Sequence, residues 1–115
     1  PVLGVCRGMQ LIADYFGSNF KRVRDQVNIK HNLEINKDSK YFNQLIKLGK
    51  VNSYHDYAVA DVPKELLISA TDGSGIIKSI EHREYKIFGQ MWHSERESPF
   101  DKSELELIKH FFNGF

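Results

Sequence analysis

The opening stretch PVLGVCRGMQLIADYFG constrains the fold more than any other part of the sequence. Val2, Leu3 and Val5 form a nearly continuous apolar run, as in a parallel strand covered on both faces. Met9, Ile12, Ala13 and Phe16 then recur at helical spacing, and Gly17 stands where such a helix would end. Strand, sharp turn and helix in immediate succession predict the βα unit of an α/β domain.

Downstream, the pattern turns mostly to strands. Val27, Ile29, His31, Leu33 and Ile35 alternate with polar residues, predicting a strand with one buried face. Residues 39–48 suit a short helix with Tyr41, Leu45 and Leu48 inward and Gly49 past its end. Strands follow at 51–54, 66–70, 75–81 and 86–92, with Asp72-Gly73 and Ser74-Gly75 as turn signals. Asp101 or Ser103 can cap a last helix, with Glu104 in its first turn and Leu105, Ile108, Phe111 and Phe112 along one stripe. The order βα, then mostly β, then α fits the second half of an α/β domain carrying an antiparallel flap or edge.

At 115 residues the chain allows one domain at most. It starts with a proline inside a strand pattern, so it is expected to be a fragment. Sixteen basic and fifteen acidic residues leave a net charge of +1, which points to neither a nucleic-acid nor a membrane partner. The KRVR run at 21–24 has no interleaved aromatics and reads as a solvated loop or helix end. No apolar run reaches the ~18 residues of a membrane span, and no basic-then-apolar signal precedes a small-residue cleavage site in these residues; a missing N-terminus could carry one, so the pattern permits cytoplasm, and a cytoplasmic location is the expectation. The single cysteine excludes an internal disulfide framework.

That cysteine, Cys6, sits between Gly4 and Gly8 on the turn from strand to helix. Such a turn exposes a nucleophile at the sheet's carboxyl edge and aims a helix N-terminus at it, and both features lower a thiol pKa. Gly4 and Gly8 would leave room for the crossing backbones, as in the serine elbow. The Arg7 N–H could then donate to a developing oxyanion. The alternative is a buried core thiol in a Gly-rich βα turn. In KIFGQMWHSERE, His93 and Glu95 lie two apart at the end of an apolar strand, so both would project from one face. The histidine can take the thiol proton while the carboxylate holds its other nitrogen. Taken alone, His-x-Glu also reads as ordinary charges at a strand end. A metal site is not indicated, since His31, His55, His82 and His110 show no ligand spacing with the pair.

GVCRGMQ, VNSYH and GQMWHSE together resemble the class I glutamine amidotransferase superfamily, and in particular its γ-glutamyl hydrolase (peptidase C26-like) branch. The resemblance implies a flavodoxin-like α/β fold with a mostly parallel central sheet flanked by helices, here without its N-terminal βα units. At ~30 residues per βαβ unit, roughly 60 to 90 residues would precede the chain and would carry the second oxyanion donor. It further implies a Cys6 nucleophile that forms a glutamyl thioester, with His93 as base and Glu95 as its orienter.

Gln10 would help hold the glutamyl part of a small-molecule γ-glutamyl substrate, and Asn52, Ser53 and His55 would line a loop beside it. Without the resemblance, Gln10 is an ordinary polar helix residue and VNSYH a turn between strands. Arg7 together with the Asn-Ser-x-His loop is similar to the stand-alone hydrolases. Arg7 would then read a charged group on the leaving side, or point to solvent with only its N–H used. The MQ after the elbow and the GQMWHSERE ending are also similar to small bacterial hydrolases that free a cytidine-diphosphate amidate during capsular polysaccharide modification. Ser94 departs from the proline usual between the histidine and the glutamate. No cofactor is implied, because acyl transfer through a thioester needs none. A homodimer fits the stand-alone reading. The competing readings are a glutaminase domain feeding ammonia to a synthetase partner, and a catalytically inactive scaffold of the same fold.

Overall fold

The computed structural model describes residues 1–24 and 26–114. Strand β1 (Val2–Val5) passes through Cys6 straight into helix α1 (Arg7–Tyr15). Strands β2 (Phe20–Arg22), β3 (Val27–His31) and β4 (Leu33–Ile35) follow, then the single-turn helix α2 (Phe42–Leu45). Next come β5 (Val51–Tyr54), β6 (Tyr57–Val59), β7 (Leu66–Asp72), β8 (Ile77–His82) and β9 (Ile87–Gln90). A 3-10 turn at Ser94–Arg96 precedes the last helix, α3 (Lys102–Asn113).

The main sheet has the order β1-β9-β8-β7-β4. Within the described residues β1–β9 is its parallel pairing, and β9–β8, β8–β7 and β7–β4 are antiparallel. A parallel neighbour needs a covering crossover, whereas short turns suffice between β7, β8 and β9. Two small ribbons, β2–β6 and β3–β5, stand beside the main sheet.

Alternation along the strands sends side chains to two cores. On one face Met9 and Ala13 of α1 pack with Val59, Leu66, Ile77, Ile80 and Met91. On the other, Tyr41 and Leu45 pack with Val51, Phe88, Trp92, Leu107 and Phe111. Each large apolar side chain buried in these layers contributes ~1.5–3 kcal/mol. The close seat of α1 depends on two glycines opposite one another in register, Gly4 and Gly89. A Cβ on Gly4 would lie 2.6 Å from the Gly8 carbonyl carbon, and one on Gly89 would lie 2.8 Å from Met9 Cγ.

Several expectations need correcting. Residues 27–35 form two strands rather than one, and Val27 and Ile29 are 57% and 40% exposed rather than buried. The cause is local: among the described residues β3 pairs only with β5, outside the main sheet, and a register break accompanies the positive φ of Asn28. The KRVR run is solvated, but its first half is an edge strand, β2, not a loop or helix end. The expected helix at 39–48 shortens to α2. On α3 the buried face is Glu104, Leu107 and Phe111, while Leu105 and Phe112 point outward. A buried carboxylate took the place where hydrophobicity alone would put leucine. Asp101 is the N-cap, accepting from the Ser103 and Glu104 amides at 2.8 and 3.2 Å.

Candidate active site

Cys6 occupies the elbow with φ 55° and ψ −104°. Such a backbone costs a non-glycine residue ~1–3 kcal/mol and persists only when its surroundings hold it. Here the Cys6 amide donates to the Gln90 carbonyl at 2.7 Å, and the Cys6 carbonyl accepts from the Gln10 amide at 3.1 Å. The sheet edge thus grips one side of the residue and the first turn of α1 the other. Of the two flanking glycines, Gly4 is the one that steric contact demands. A Cβ at Gly8 would meet nothing within 4 Å, so its contribution is the bare backbone that Gly4 approaches.

The thiol is half-buried, and its sulfur lies 4.0 Å from the Tyr54 carbonyl, towards which it donates. Burial pushes the thiol pKa up, and the Arg7 N–H and the guanidinium charges of Arg96 and Arg7 only partly oppose it. The expected lowering by the elbow is therefore outweighed, because removing a thiolate from water costs more than one helix end returns.

The His93–Glu95 pair stands at the neighbouring strand end. β1 pairs with β9 through Val5 and Gln90, so Cys6 and the segment after Gln90 leave the sheet side by side. His93 Nδ1 and Glu95 Oε2 are 2.6 Å apart. They meet because residues 94–96 turn as a 3-10 helix, not because an extended strand puts both on one face. Partial burial would raise the Glu95 carboxyl, but hydrogen bonds from His93 and from its own backbone, with the charges of His93 and Arg96, hold it below the ordinary value. Among the described residues no hydrogen bond joins the thiol to the His93 ring. Both border Tyr54, whose ring centroid is 5.9 Å from that of His93 and 4.1 Å from the Arg96 guanidinium.

Asn52 sets the His93 backbone. Its Oδ1 accepts from the His93 amide at 2.7 Å and its Nδ2 donates to the His93 carbonyl at 2.8 Å. The same Nδ2 reaches Glu97 Oε2 at 3.2 Å, and Glu97 in turn pairs with Lys30 at 2.8 Å. Ser94, in place of a proline, accepts from Gln90 Nε2 at 2.9 Å and donates to Glu104 Oε1 at 2.5 Å. These bonds tie the His93–Glu95 turn to the sheet and to α3. A cleft of about 180 Å³ borders this turn, lined in part by Val5, Gln90, Glu95 and Phe100.

Other expected site residues divide. Arg7 is exposed on the first turn of α1, beside the thiol. Gln10 lies one turn on, with its Nε2 donated to the Tyr57 carbonyl at 3.0 Å. Ser53 and His55, expected beside the substrate, are 0% and 5% exposed and face inward to Lys78. Strand alternation explains this, since Tyr54 between them takes the outward side. Sequence reasoning missed Tyr54, Arg96 and Lys78. A lysine in the apolar run IIKSI was a legible signal, because lysine is almost never fully buried without a partner. Among the described residues no cluster of three or more His, Cys, Asp or Glu side chains could hold a metal. No helix there is long and apolar enough to cross a membrane.

An α/β sheet with a cysteine elbow beside a His–Glu pair defines a class of thiol-bearing domain built around the C-terminal edge of adjacent parallel strands. Residues 1–113 match the sequence model of glutamine amidotransferase class-I, and the chain belongs to that family. It is 30% identical over 113 residues to a γ-glutamyl-CDP-amidate hydrolase of Campylobacter jejuni, covering 98% of this chain and 50% of that protein. It is 32% identical over 112 residues to a glutamine-hydrolyzing GMP synthase of Exiguobacterium sibiricum, covering 96% of this chain and 21% of that one. A solved glutamine amidotransferase from Thermotoga maritima shares the fold with a TM-score of 0.69 at 21% identity, over 99% of this chain and 49% of the other. The chain spans about half the length of the first curated relatives it matches.

Proposed function

We propose that the protein hydrolyses a γ-glutamyl amide bond through a glutamyl thioester on Cys6. The observation that carries this reading is the strained elbow of Cys6, held against the strand whose end presents the His93–Glu95 pair. In this mechanism Cys6 Sγ attacks the γ-carbonyl as its proton passes to His93 Nε2. Glu95 keeps Nδ1 protonated and steadies the imidazolium, and the Arg7 N–H receives the oxyanion. Collapse expels the amine, which takes the proton from His93. Water, deprotonated by the same ring, then attacks the thioester, releases glutamate and restores the thiol.

Arg7 and Arg96 put positive charge at the mouth of the site, which suits an anionic leaving group. Likeness to the C. jejuni γ-glutamyl-CDP-amidate hydrolase supports a substrate of that kind; a place in capsule modification is part of this proposal and rests on the sequence resemblance alone. Under this proposal residues 1–115 are part of one glutamine amidotransferase-like domain. Gln10 and Asn52 serve the site from α1 and β5, with Asn52 acting through the His93 backbone. A second reading, a glutaminase that supplies ammonia to a synthetase partner, is favoured by the GMP synthases at 30–33% identity over nearly the whole chain.

Mass-spectrometric detection of glutamate from glutamine and from a panel of γ-glutamyl amines and amidates tests both. Release from one conjugate far above glutamine, abolished in Cys6→Ala, is the expected result. Turnover of glutamine only when a synthetase is added would overturn the stand-alone reading, and unchanged release in Cys6→Ala would remove Cys6 from the chemistry.

A further inference from the structure

Lys78, in β8, is fully buried. Its ammonium has three N–H donors and finds three acceptors: Ser53 Oγ at 2.8 Å, His55 Nε2 at 2.9 Å, and Gln26 Oε1. His55 Nδ1 lies 2.9 Å from the Tyr57 carbonyl and donates to it, which leaves Nε2 as the acceptor for lysine. No carboxylate among the described residues touches the ammonium. Asp72 acts on it only at a distance, its Oδ1 accepting from Ser74 and Ile76 and its Oδ2 facing His31 at 3.9 Å. Burial lowers the lysine to about 8, against the raising effect of Asp72 and Cys6, so the ammonium still prevails at neutral pH.

A buried cation with no carboxylate against it among the described residues is costly, even with its three N–H groups satisfied. Two features point from Lys78 to Cys6. The Lys78 carbonyl accepts from Met91 and the Gln90 carbonyl accepts from Cys6, so β9 alone separates the two backbones, at two strand spacings or roughly 10 Å. Ser53 and His55, which hold the ammonium, also flank Tyr54, whose carbonyl faces the thiol. We propose that Lys78 is a positioning residue for Cys6: its buried ammonium pins the segment 53–55 around Tyr54 and provides the positive charge that favours the Cys6 thiolate. This inference rests on Cys6 being the nucleophile and adds a buried positive charge that opposes, without cancelling, the burial of its charged form.

Alkylation of Cys6 by iodoacetamide tests it without calling on hydrolysis, so the inference and the proposed reaction can fail separately. With the ammonium 2.8 Å from Ser53 Oγ and the sulfur 4.0 Å from the carbonyl of the next residue, the two charges stand on the order of 10 Å apart, and at an effective dielectric of ~20 they couple by on the order of tenfold in an ionisation constant. Lys78→Met should therefore slow alkylation at pH 7, where the ammonium prevails, about tenfold. Ser53→Ala, which keeps the cation and removes one acceptor, should leave that rate in place. An unchanged pH 7 rate in folded Lys78→Met, or equal losses of rate in both variants, overturns the inference. If circular dichroism shows that Lys78→Met does not fold, nitrogen NMR of the lysine side chains in Cys6→Asp and Cys6→Ser replaces it. A higher Lys78 midpoint beside the aspartate supports the coupling, and identical midpoints refute it.

Discussion

Replacing Gly4 by alanine should separate α1 from the sheet it covers. The new Cβ would stand 2.6 Å from the Gly8 carbonyl carbon, 2.7 Å from its oxygen and 2.7 Å from Ile12 Cδ1. Restoring an ordinary 3.4 Å contact requires the helix to retreat by about 0.8 Å. A gap of that size forfeits a quarter to a half of the dispersion contact across it, here between Met9 and Ala13 and the strands beneath them. Two of the three clashing atoms are backbone and have no rotamer to change, so the cost belongs at the top of the overpacking range, about 3 kcal/mol. Gly8→Ala meets nothing within 4 Å and removes a flexible residue from a helix, so it should be neutral or stabilising by up to ~1 kcal/mol. Urea denaturation followed by circular dichroism measures both, and Cys6 alkylation reports whether the elbow has moved. Equal destabilisation by the two substitutions, or a Gly4→Ala effect below ~0.5 kcal/mol, would refute the steric argument.

Asn52→Ala removes the acceptor and donor that clamp the His93 amide and carbonyl; at ~1 kcal/mol per bond, glutamate release should fall roughly 10- to 100-fold while circular dichroism stays native. His55 is buried neutral with its pKa lowered to about 4 from 6.5, so the unfolded chain binds the extra proton between those values and stability rises with pH across that window. Acidification from pH 6.5 to 4 should therefore cost up to about 3 kcal/mol at His55, a slope that His55→Gln flattens in urea titrations at several pH values. Asp101→Ala removes the two side-chain bonds at the start of α3 and should lower stability by ~1 kcal/mol, measured as a shift in urea midpoint.

The elbow and the His93–Glu95 pair were legible because their signals are local. A continuous apolar run, a glycine before the cysteine and a helical period after it describe β1, Cys6 and α1 without knowledge of what packs on them. His-x-Glu likewise announced a pair, although the 3-10 turn that joins its members was hidden by the assumption of an extended strand. The errors lie where a neighbour decides. Val27 and Ile29 alternate like a buried strand, yet β3 stands on a ribbon that no core covers. Leu105 and Phe112 have the spacing of an inward stripe, but Glu104 is drawn inside by Ser94 and turns them outward.

Sequence alone determined the strand-elbow-helix unit, the placement of a lone thiol on it, and the family to which the chain belongs, because these are written in short motifs, GVCRGMQ, VNSYH and GQMWHSE, each readable without knowledge of what packs on it. Tertiary structure decided what surrounds the thiol. Tyr54 meets Cys6 from 48 residues away, burial raises the thiol, and the Lys78 backbone stands two strands from it in the sheet. Such long-range pairings carry no local signal, since hydrogen bonds and electrostatic coupling depend on distance in space, and the sheet order, not the chain order, sets that distance.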